Sequence, residues 1–104
     1  MSEEVLHRRD NVLVRRLILQ PGEATHWHRD VCHRVTVVLT GSELSIEFRD
    51  RSGAKQVKVA AGQVDWDTPS DRGHRAVNVG TTTYEEVTIF FLSEPEGIPQ
   101  PSPE

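Results

Sequence analysis

Residues 35–48 read Val-Thr-Val-Val-Leu-Thr-Gly-Ser-Glu-Leu-Ser-Ile-Glu-Phe. On both sides of the Gly41-Ser42 turn signal, apolar side chains recur at every second position: Val35, Val37 and Leu39, then Leu44, Ile46 and Phe48. Successive side chains of a β-strand point to opposite faces, so a period of two predicts strands that each bury their apolar face. This stretch therefore predicts two strands separated by a turn, and it argues against a helical fold.

The same pattern extends in both directions from this stretch. Alternation returns at residues 57–61, and dense apolar runs rich in β-forming residues cover residues 11–19 and 84–92. Turn signals containing glycine, proline or aspartate separate these runs. Many short strands at regular spacing, without a helical stripe or an internal repeat, predict an all-β sandwich or closed barrel. A chain of 104 residues has room for one such domain.

The two ends of the chain differ in composition from this middle part. Residues 1–9 are polar, and we expect them to form a loose polar N-terminal segment outside the barrel. Residues 94–104 contain four prolines, which remove backbone donors and block strand pairing, so we expect a flexible proline-rich tail. The predicted barrel accordingly spans residues 10–93.

Charge and cysteine content narrow the classes of partner and location. The formal net charge is −4 without a basic patch, which argues against nucleic acid and membrane as partners. No apolar run reaches the roughly 18 residues that a membrane helix needs, and the N-terminus has no signal pattern. The lone Cys32 has no partner for an internal disulfide, as expected in a reducing compartment. We therefore expect a cytoplasmic protein.

Four of the five histidines lie where predicted strands meet turns: His26, His28, His33 and His74. On a strand, His26 and His28 project from the same face, about 7 Å apart. Neutral imidazole nitrogen binds divalent Zn, Fe, Ni, Mn or Cu, so such a pair can share one ion. His33 follows a predicted bend and can return to the same place. A His-x-His pair with a third histidine nearby therefore predicts a divalent metal site.

Residues 21–92 resemble the cupin superfamily, in particular its small single-domain members of the cupin 2 type. The family carries two motifs, Gly-x5-His-x-His-x3/4-Glu-x6-Gly and Gly-x5-Pro-x-Gly-x2-His-x3-Asn. The region from Gly22 to Gly41 resembles the first, and the region from Gly62 to Asn78 resembles the second, with one extra residue before its histidine. The resemblance implies an all-β, single-domain double-stranded β-helix (the RmlC-like jelly roll) with its site inside the barrel.

Two alignments of the first motif compete. In one, Gly22, His28 and Gly41 fall at the family spacing. Asp30 then takes the second histidine position, and Arg34 takes the glutamate position. This alignment keeps a carboxylate that can bind a metal but places a cation where a ligand belongs.

In the other alignment, His26, His28 and His33 read as His-x-His-x4-His, with a histidine in place of the glutamate. An arginine such as Arg34 has no lone pair for a metal, whereas this alignment keeps every ligand position chemically competent. We therefore prefer it, and with His74 from the second motif it gives a set of four metal ligands: His26, His28, His33 and His74.

Five further residues are candidates for a ligand pocket of the kind that cupins carry: Asp30, Arg34, Trp66, Asn78 and Tyr84. Two partners are open for Arg34: a carboxylate of a bound molecule, or equally an acidic side chain on the surface of the protein. The resemblance implies a divalent metal cofactor and a small-molecule ligand, with dioxygenase- or isomerase-like activity. The alternative is a non-catalytic protein that binds or senses a small molecule, with or without metal, since the fold hosts both. Small cupins also pair, so a homodimer is expected.

Overall fold

The computed structural model describes residues 1–92, which form antiparallel β-strands in two sheets. The eight strands are β1 (Ser2–Arg9), β2 (Val12–Leu19), β3 (Arg34–Thr40), β4 (Glu43–Phe48), β5 (Ala54–Lys58), β6 (Val64–Asp67), β7 (His74–Asn78) and β8 (Tyr84–Phe91). The larger sheet has the order β1-β2-β8-β3-β6, and the smaller has the order β5-β4-β7. The all-β prediction is confirmed. Within residues 1–92, no helix has the length and apolar character needed to span a membrane.

Residues 1–9 contain a strand where a loose segment was expected. β1 pairs antiparallel with β2, with an irregularity in register between Val5 and His7. All of its residues are exposed because β1 is the edge of the sheet. Backbone pairing does not depend on side-chain polarity, so a polar composition does not exclude a strand. The predicted proline-rich tail, residues 94–104, lies outside the described residues.

Two apolar clusters form the core: Leu17, Leu19, Val38, Leu44 and Tyr84 in one, and Cys32, Phe90 and Leu92 in the other. Gly41, which joins β3 to β4, packs directly against the first cluster. Its φ is +138°, and a Cβ at this position would lie 2.7 Å from the ring of Tyr84. Only glycine fits a turn that is both left-handed and this close to an aromatic ring.

The alternation of β3 has the opposite orientation to the one expected. Cross-strand partners share a face of a sheet, and Val35 pairs with Ile89 while Val37 pairs with Val87. The other set of β3 residues, including Val38, lines a cavity between the two sheets. The expectation that Val35, Val37 and Leu39 bury their side chains in the interior is therefore wrong. In this sheet the inner face carries many polar groups, and the apolar alternation lies on the outer face.

Candidate metal centre

His28 and His74 lie opposite each other on two antiparallel segments. The amide N–H of each donates to the carbonyl oxygen of the other, at 2.9 Å in both directions, which forms an isolated β-bridge. A doubly hydrogen-bonded pair of this kind places both side chains on the same face. The two imidazole centroids accordingly lie 4.6 Å apart. Backbone pairing thus brings together two histidines that are distant in the sequence.

Asp30 brings a carboxylate to these two imidazoles. Its Oδ2 lies 2.8 Å from Nε2 of His74 and 3.4 Å from Nε2 of His28. Arg34, the first residue of β3, places its Nη2 3.3 Å from the same oxygen. Three of these residues offer ligand atoms that all lie within 4.8 Å of one another. We call these three, His28, Asp30 and His74, the His–Asp cluster.

The backbone fixes which ring nitrogen of each histidine carries the proton. Nδ1 of His28 lies 2.7 Å from the carbonyl oxygen of His26, and Nδ1 of His74 lies 2.9 Å from that of Arg72. A carbonyl oxygen only accepts, so both Nδ1 atoms donate, and each neutral imidazole then has its lone pair at Nε2. Both lone pairs face the Asp30 carboxylate. Such an arrangement requires a cation, either a proton or a metal ion, between the three groups.

The charges of the cluster shift two pKa values. Burial opposes the charged form of Asp30, but the hydrogen bonds that His28 and His74 donate when Nε2 is protonated, together with the charge of Arg34, outweigh it and hold the pKa of Asp30 well below its usual range. Burial also opposes the charged form of His28, but the hydrogen bond and charge of Asp30 raise the pKa of His28 above its ordinary value. Asp30 is therefore an anion at neutral pH and attracts a cation to the cluster.

The His–Asp cluster lines a cavity of about 530 Å³ between the two sheets. This volume is within the range of sites that hold small molecules. The wall mixes apolar side chains, among them Leu44 and Ile46, with charged ones, among them Arg34 and Asp65. Nη1 of Arg34 is buried and has no hydrogen-bond partner within residues 1–92. The cavity therefore has the size and the mixed polarity of a binding site for a small polar molecule.

A second polar group lines the same cavity, and we call it the Glu86 cluster: Arg15, Tyr84, Glu86 and Thr88. The Tyr84 hydroxyl donates to Oε1 of Glu86 at 2.6 Å. Oε2 accepts from Nη2 of Arg15 at 3.1 Å and from the Thr88 hydroxyl. Burial, together with the charge and hydrogen bond of Glu86, raises the pKa of Tyr84 and keeps its hydroxyl protonated.

The sequence pattern did not single out Arg15, Glu86 or Thr88, because they lie in runs dominated by apolar residues. One signal points to them. Tyr84, Glu86 and Thr88 occupy alternate positions of one strand and therefore share a face. The apolar residues between them, such as Val87, then belong to the opposite face.

The structure does not bring together the predicted set of four histidine ligands. His28 and His74 meet, but the side chain of His26 is exposed, and its contact with the cluster is made by its backbone carbonyl. Asp30 instead offers the third atom that is able to bind a metal. The alignment that places His28 and Asp30 at the ligand positions describes this geometry, whereas the preferred His-x-His-x4-His alignment does not.

His33 lies on the other side of the sheet from the His–Asp cluster. It immediately precedes Arg34, whose side chain lines the cavity, so strand parity turns His33 to the outer face. There its Nδ1 accepts a hydrogen bond from the indole Nε1 of Trp66 at 3.2 Å. Spacing alone could not reveal this, because the bend before β3 sets the parity.

The five predicted pocket residues have different positions. Asp30, Arg34 and Tyr84 line the cavity. Trp66 borders the cavity but is 61% exposed, and its ring stacks on Phe91 with centroids 5.5 Å apart.

Asn78, the fifth predicted pocket residue, does not line the cavity. It is completely buried, and its side-chain amide donates to the carbonyl oxygens of Leu19 and Thr82, each at 2.9 Å. Its Oδ1 accepts from the Gly80 amide at 3.0 Å. Asn78 therefore stabilises the turn that follows β7 and connects it to the end of β2, because its amide satisfies two backbone groups of the turn and the carbonyl of Leu19.

Comparison with solved structures places this double-stranded β-helix among the cupins. A cupin domain protein from Bordetella pertussis superposes with a TM-score of 0.78 at 24% identity, over 88% of this chain and 93% of that one. A cupin 2 conserved barrel domain protein from Salinispora arenicola gives a TM-score of 0.62 at 14% identity, over 86% of this chain and 73% of that one. The chain therefore has the cupin fold, as the sequence motifs implied.

An enzyme also occurs among the similar structures. Oxalate oxidase, solved in complex with the substrate analogue glycolate, superposes with a TM-score of 0.58 at 23% identity. The match covers 78% of this chain and 42% of that one. No family model and no curated protein matches the sequence. At these identities the likeness establishes the fold alone.

Proposed function

We propose that His28, Asp30 and His74 hold a divalent transition-metal ion, and that this ion acts on a small molecule bound in the cavity. The observation that carries the proposal is the convergence of two Nε2 lone pairs and a carboxylate on one point. Metal-binding histidines typically donate their other ring N–H to a backbone carbonyl or carboxylate, and both histidines here do so. The donor set therefore fits a resident metal.

The composition of the site also limits which ion it would hold. Two imidazoles and one carboxylate, with coordination positions left open, are typical of Fe(II) sites in oxygenases and also occur in zinc enzymes. Ni, Mn and Cu also accept imidazole nitrogen. A bound ion with open positions would act as a Lewis acid, or in the case of iron as a redox centre, towards a ligand in the cavity.

The chain's own residues would orient the bound molecule. Arg34 lies beside Asp30, and one of its buried donors has no partner among residues 1–92. An unpaired buried N–H costs about 1–3 kcal/mol, so an oxygen of the ligand placed against Arg34 would recover this free energy. The apolar side chains of the smaller sheet would cover the rest of the molecule and exclude water. We therefore favour a small ligand with at least one oxygen acceptor.

The proposal favours a metal-dependent enzyme, dioxygenase- or isomerase-like. One observation supports the second candidate, which is binding or sensing without chemistry. Both oxygens of the buried Glu86 already accept hydrogen bonds from Tyr84, Arg15 and Thr88. Glu86 is therefore poorly placed to accept a proton from a ligand, and catalysis would depend on the metal centre.

Two measurements test the proposal in sequence. Metal analysis of the purified protein, followed by calorimetric titration with Fe(II), Mn(II) and Zn(II), is expected to show one ion per chain. Asp10→Asn is the matched control for Asp30→Asn, because it removes an exposed carboxylate in the turn between β1 and β2, away from the cavity. Absence of binding by all three ions would refute the metal site.

The second measurement separates an enzyme from a binding protein. A thermal-shift screen of the metal-loaded protein selects small molecules that bind, and NMR of each molecule after incubation in air shows whether it has changed. A converted molecule supports the enzyme, whereas a molecule that binds and is recovered intact supports the sensor. The same incubation with chelated protein provides the control for each outcome.

A further inference from the structure

The segment between β6 and β7, residues 68–73, has no regular secondary structure, and we call it the β6–β7 loop. Its backbone contacts two members of the His–Asp cluster. The amide N–H of Ser70 donates to the carbonyl oxygen of Asp30 at 2.8 Å, and the carbonyl oxygen of Arg72 accepts from Nδ1 of His74 at 2.9 Å. The loop therefore helps to set where the Asp30 backbone lies and which nitrogen of His74 faces the cavity.

The side chain of Arg72 attaches this loop to the smaller sheet. Its guanidinium carbon lies 3.8 Å from the ring centroid of Phe48, the last residue of β4, in a cation–π contact. Its Nη2 donates to Oγ of Ser52 at 2.7 Å and lies 3.4 Å from Oδ2 of Asp50, both in the connection between β4 and β5. One guanidinium is thus held at three points, on the residue whose carbonyl oxygen binds His74.

The two backbone contacts of the loop are coupled to each other. The amide N–H of Arg72 donates to Oγ of Ser70 at 3.3 Å. At the end of the loop, the carbonyl oxygen of Gly73 accepts from the amide of Arg49 at 2.9 Å, which extends the pairing of β4 with β7. The end of the loop is therefore fixed by backbone pairing, whereas the residues before it are held through the side chain of Arg72.

The other histidine of the cluster is supported differently. Nδ1 of His28 donates to the carbonyl oxygen of His26, which lies in a segment that pairs with β7. In that segment the amide of Thr25 donates to the carbonyl oxygen of Ala76 at 2.9 Å, and the amide of Ala76 donates to the Thr25 hydroxyl at 3.0 Å. The carbonyl group that orients His28 thus depends on backbone pairing, so His28 provides an internal reference for His74.

We propose that Arg72 is a positioning residue of the His–Asp cluster: its contacts with the smaller sheet keep His74 and Asp30 in the geometry that binds a metal ion. The consequence for metal affinity rests on the metal site proposed above. The hydrogen bond to the second nitrogen of a metal-binding histidine fixes the ring, and its loss typically lowers metal affinity by about 10–100-fold. Arg72 exerts this effect through the loop.

The charge of Arg72 acts in the opposite direction to its effect on geometry. Removing a positive charge near a cation site strengthens the attraction of the ion, because like charges repel. A weaker metal site in a variant without Arg72 therefore reports a change of geometry. This difference in sign separates the proposed role from a general electrostatic one.

Exchange of the imidazole Nδ1 protons with water, measured by NMR, tests the proposal in the metal-free protein. Exchange requires the hydrogen bond to the carbonyl oxygen to open. Arg72→Ala removes a cation–π contact and a hydrogen bond, and it is expected to accelerate exchange at His74 by about tenfold while His28 changes by less than about threefold. Arg72→Lys keeps a cation beside Phe48 and is expected to restore part of the protection. Arg51→Ala removes an exposed arginine from the same connection and is the matched control, with both protons unchanged.

Calorimetric titration with Zn(II) measures the consequence for binding. Arg72→Ala is expected to bind zinc at least about tenfold more weakly than the wild-type protein, and Arg51→Ala within about threefold of it. Ser52→Ala keeps Arg72 but removes one of its partners, so a smaller loss in the same direction is expected. The Arg72 side chain is 47% exposed, so its truncation opens no cavity in the core.

Exchange at His74 that is unchanged in Arg72→Ala, or accelerated equally at His28, would overturn the inference, and so would an equal loss of zinc affinity in Arg51→Ala. A wild-type protein that binds no zinc would refute the metal site. The exchange rates would then decide alone: selective acceleration at His74 supports the positioning role of Arg72, and unchanged rates refute it. Circular dichroism identifies a variant that fails to fold, and if Arg72→Ala fails, Ser52→Ala decides by the same two measurements.

Discussion

The His–Asp cluster and the Glu86 cluster line the same cavity but differ in how their polar atoms are satisfied. In the Glu86 cluster, three donors meet the two oxygens of one carboxylate. In the His–Asp cluster, two imidazole lone pairs meet a carboxylate, so acceptors face acceptors. Both oxygens of the Glu86 carboxylate are satisfied without a ligand, although the buried Nε of Arg15 has no hydrogen-bond partner among residues 1–92. The His–Asp cluster, in contrast, requires a cation. One cavity thus contains a hydrogen-bonded network around Glu86 and the proposed metal site.

The largest difference between the clusters is expected in metal affinity. Asp30→Asn removes an anionic ligand at nearly constant volume, and Glu86→Gln makes the same chemical change in the other cluster. Residues that only orient a ligand contribute about 10–100-fold, so Asp30→Asn is expected to weaken binding by more than about 100-fold and Glu86→Gln by less than about 3-fold. Calorimetric titration with Zn(II) measures both. Equal losses of zinc affinity in the two variants would show that metal binding does not depend on the His–Asp cluster in particular.

For the stability of the metal-free protein, we expect the opposite order: a substitution in the Glu86 cluster costs more than one in the His–Asp cluster. Glu86→Gln removes the anion that accepts from the buried Arg15, and its cost is expected to be about 2–3 kcal/mol in the free energy of unfolding. His28→Ala shortens a neutral side chain in the cavity wall and is expected to cost about 1 kcal/mol. Urea denaturation in the presence of a chelator compares them. A larger loss for His28→Ala would make the His–Asp cluster a structural element.

The protonation of His28 affects both metal affinity and the stability of the metal-free protein, and we expect these two quantities to respond to pH in opposite directions. Metal binding requires the unprotonated imidazole, and the pKa of His28 is raised, so metal affinity is expected to fall by up to about tenfold per unit as pH drops from 8 to 6. Stability of the metal-free protein changes in the other direction. A raised pKa in the folded state stabilises the fold below the unfolded pKa, and this contribution is lost as pH rises through the folded value.

Titration calorimetry at pH 8, 7 and 6 and urea denaturation of the metal-free protein over the same range measure the two slopes. His28→Ala is the control for the urea curve, because it removes the contribution of His28 to the pH dependence of stability. Metal affinity that stays constant between pH 8 and 5 would contradict the account. Asp30 does not contribute to the slope in this range, since its pKa lies well below it.

The smallest effects are expected at the two histidines outside the His–Asp cluster. His33→Ala removes a side chain that accepts from the Trp66 indole on the outer side of the sheet. His26→Ala removes an exposed side chain and keeps the carbonyl that positions His28. Each is expected to change metal affinity by less than about 3-fold, since neither supplies a ligand atom. A loss of about 100-fold in metal affinity in either variant would support the prediction of four histidine ligands.

The sequence predicted the fold well because the decisive information is local. The period of two in residues 35–48 predicted β3 and β4, and the spacing of Gly22, His28 and Gly41 indicated the particular barrel. The alternation in residues 57–61 pointed to β5, but that strand ends at Lys58. The orientation of β3 could not be predicted from the residues of the strand itself. Which of its two faces lies inside depends on the bend before Arg34, and the more apolar set lies outside.

The membership of the His–Asp cluster was predicted only in part, for a related reason. His26, His28 and Asp30 have the same strand parity, so the sequence could not decide which of them converge. The choice follows from the backbone pairing of His28 with His74, a contact between segments remote in the sequence. Arginine does not bind a metal, and for that reason the alignment with Arg34 in the glutamate position was rejected. In the structure, however, Arg34 pairs with the carboxylate of Asp30, so its presence is compatible with the cluster.

A count of the histidine ligands on the bound ion tests the central claim most directly. X-ray absorption spectroscopy of the Zn(II)-loaded protein distinguishes imidazole from carboxylate and water through scattering by the outer ring atoms. The account predicts two imidazoles at about 2.0–2.1 Å together with oxygen ligands, and loss of this pattern in Asp30→Asn. Four imidazoles, or an unchanged spectrum in Asp30→Asn, would contradict the assignment of the site to His28, Asp30 and His74.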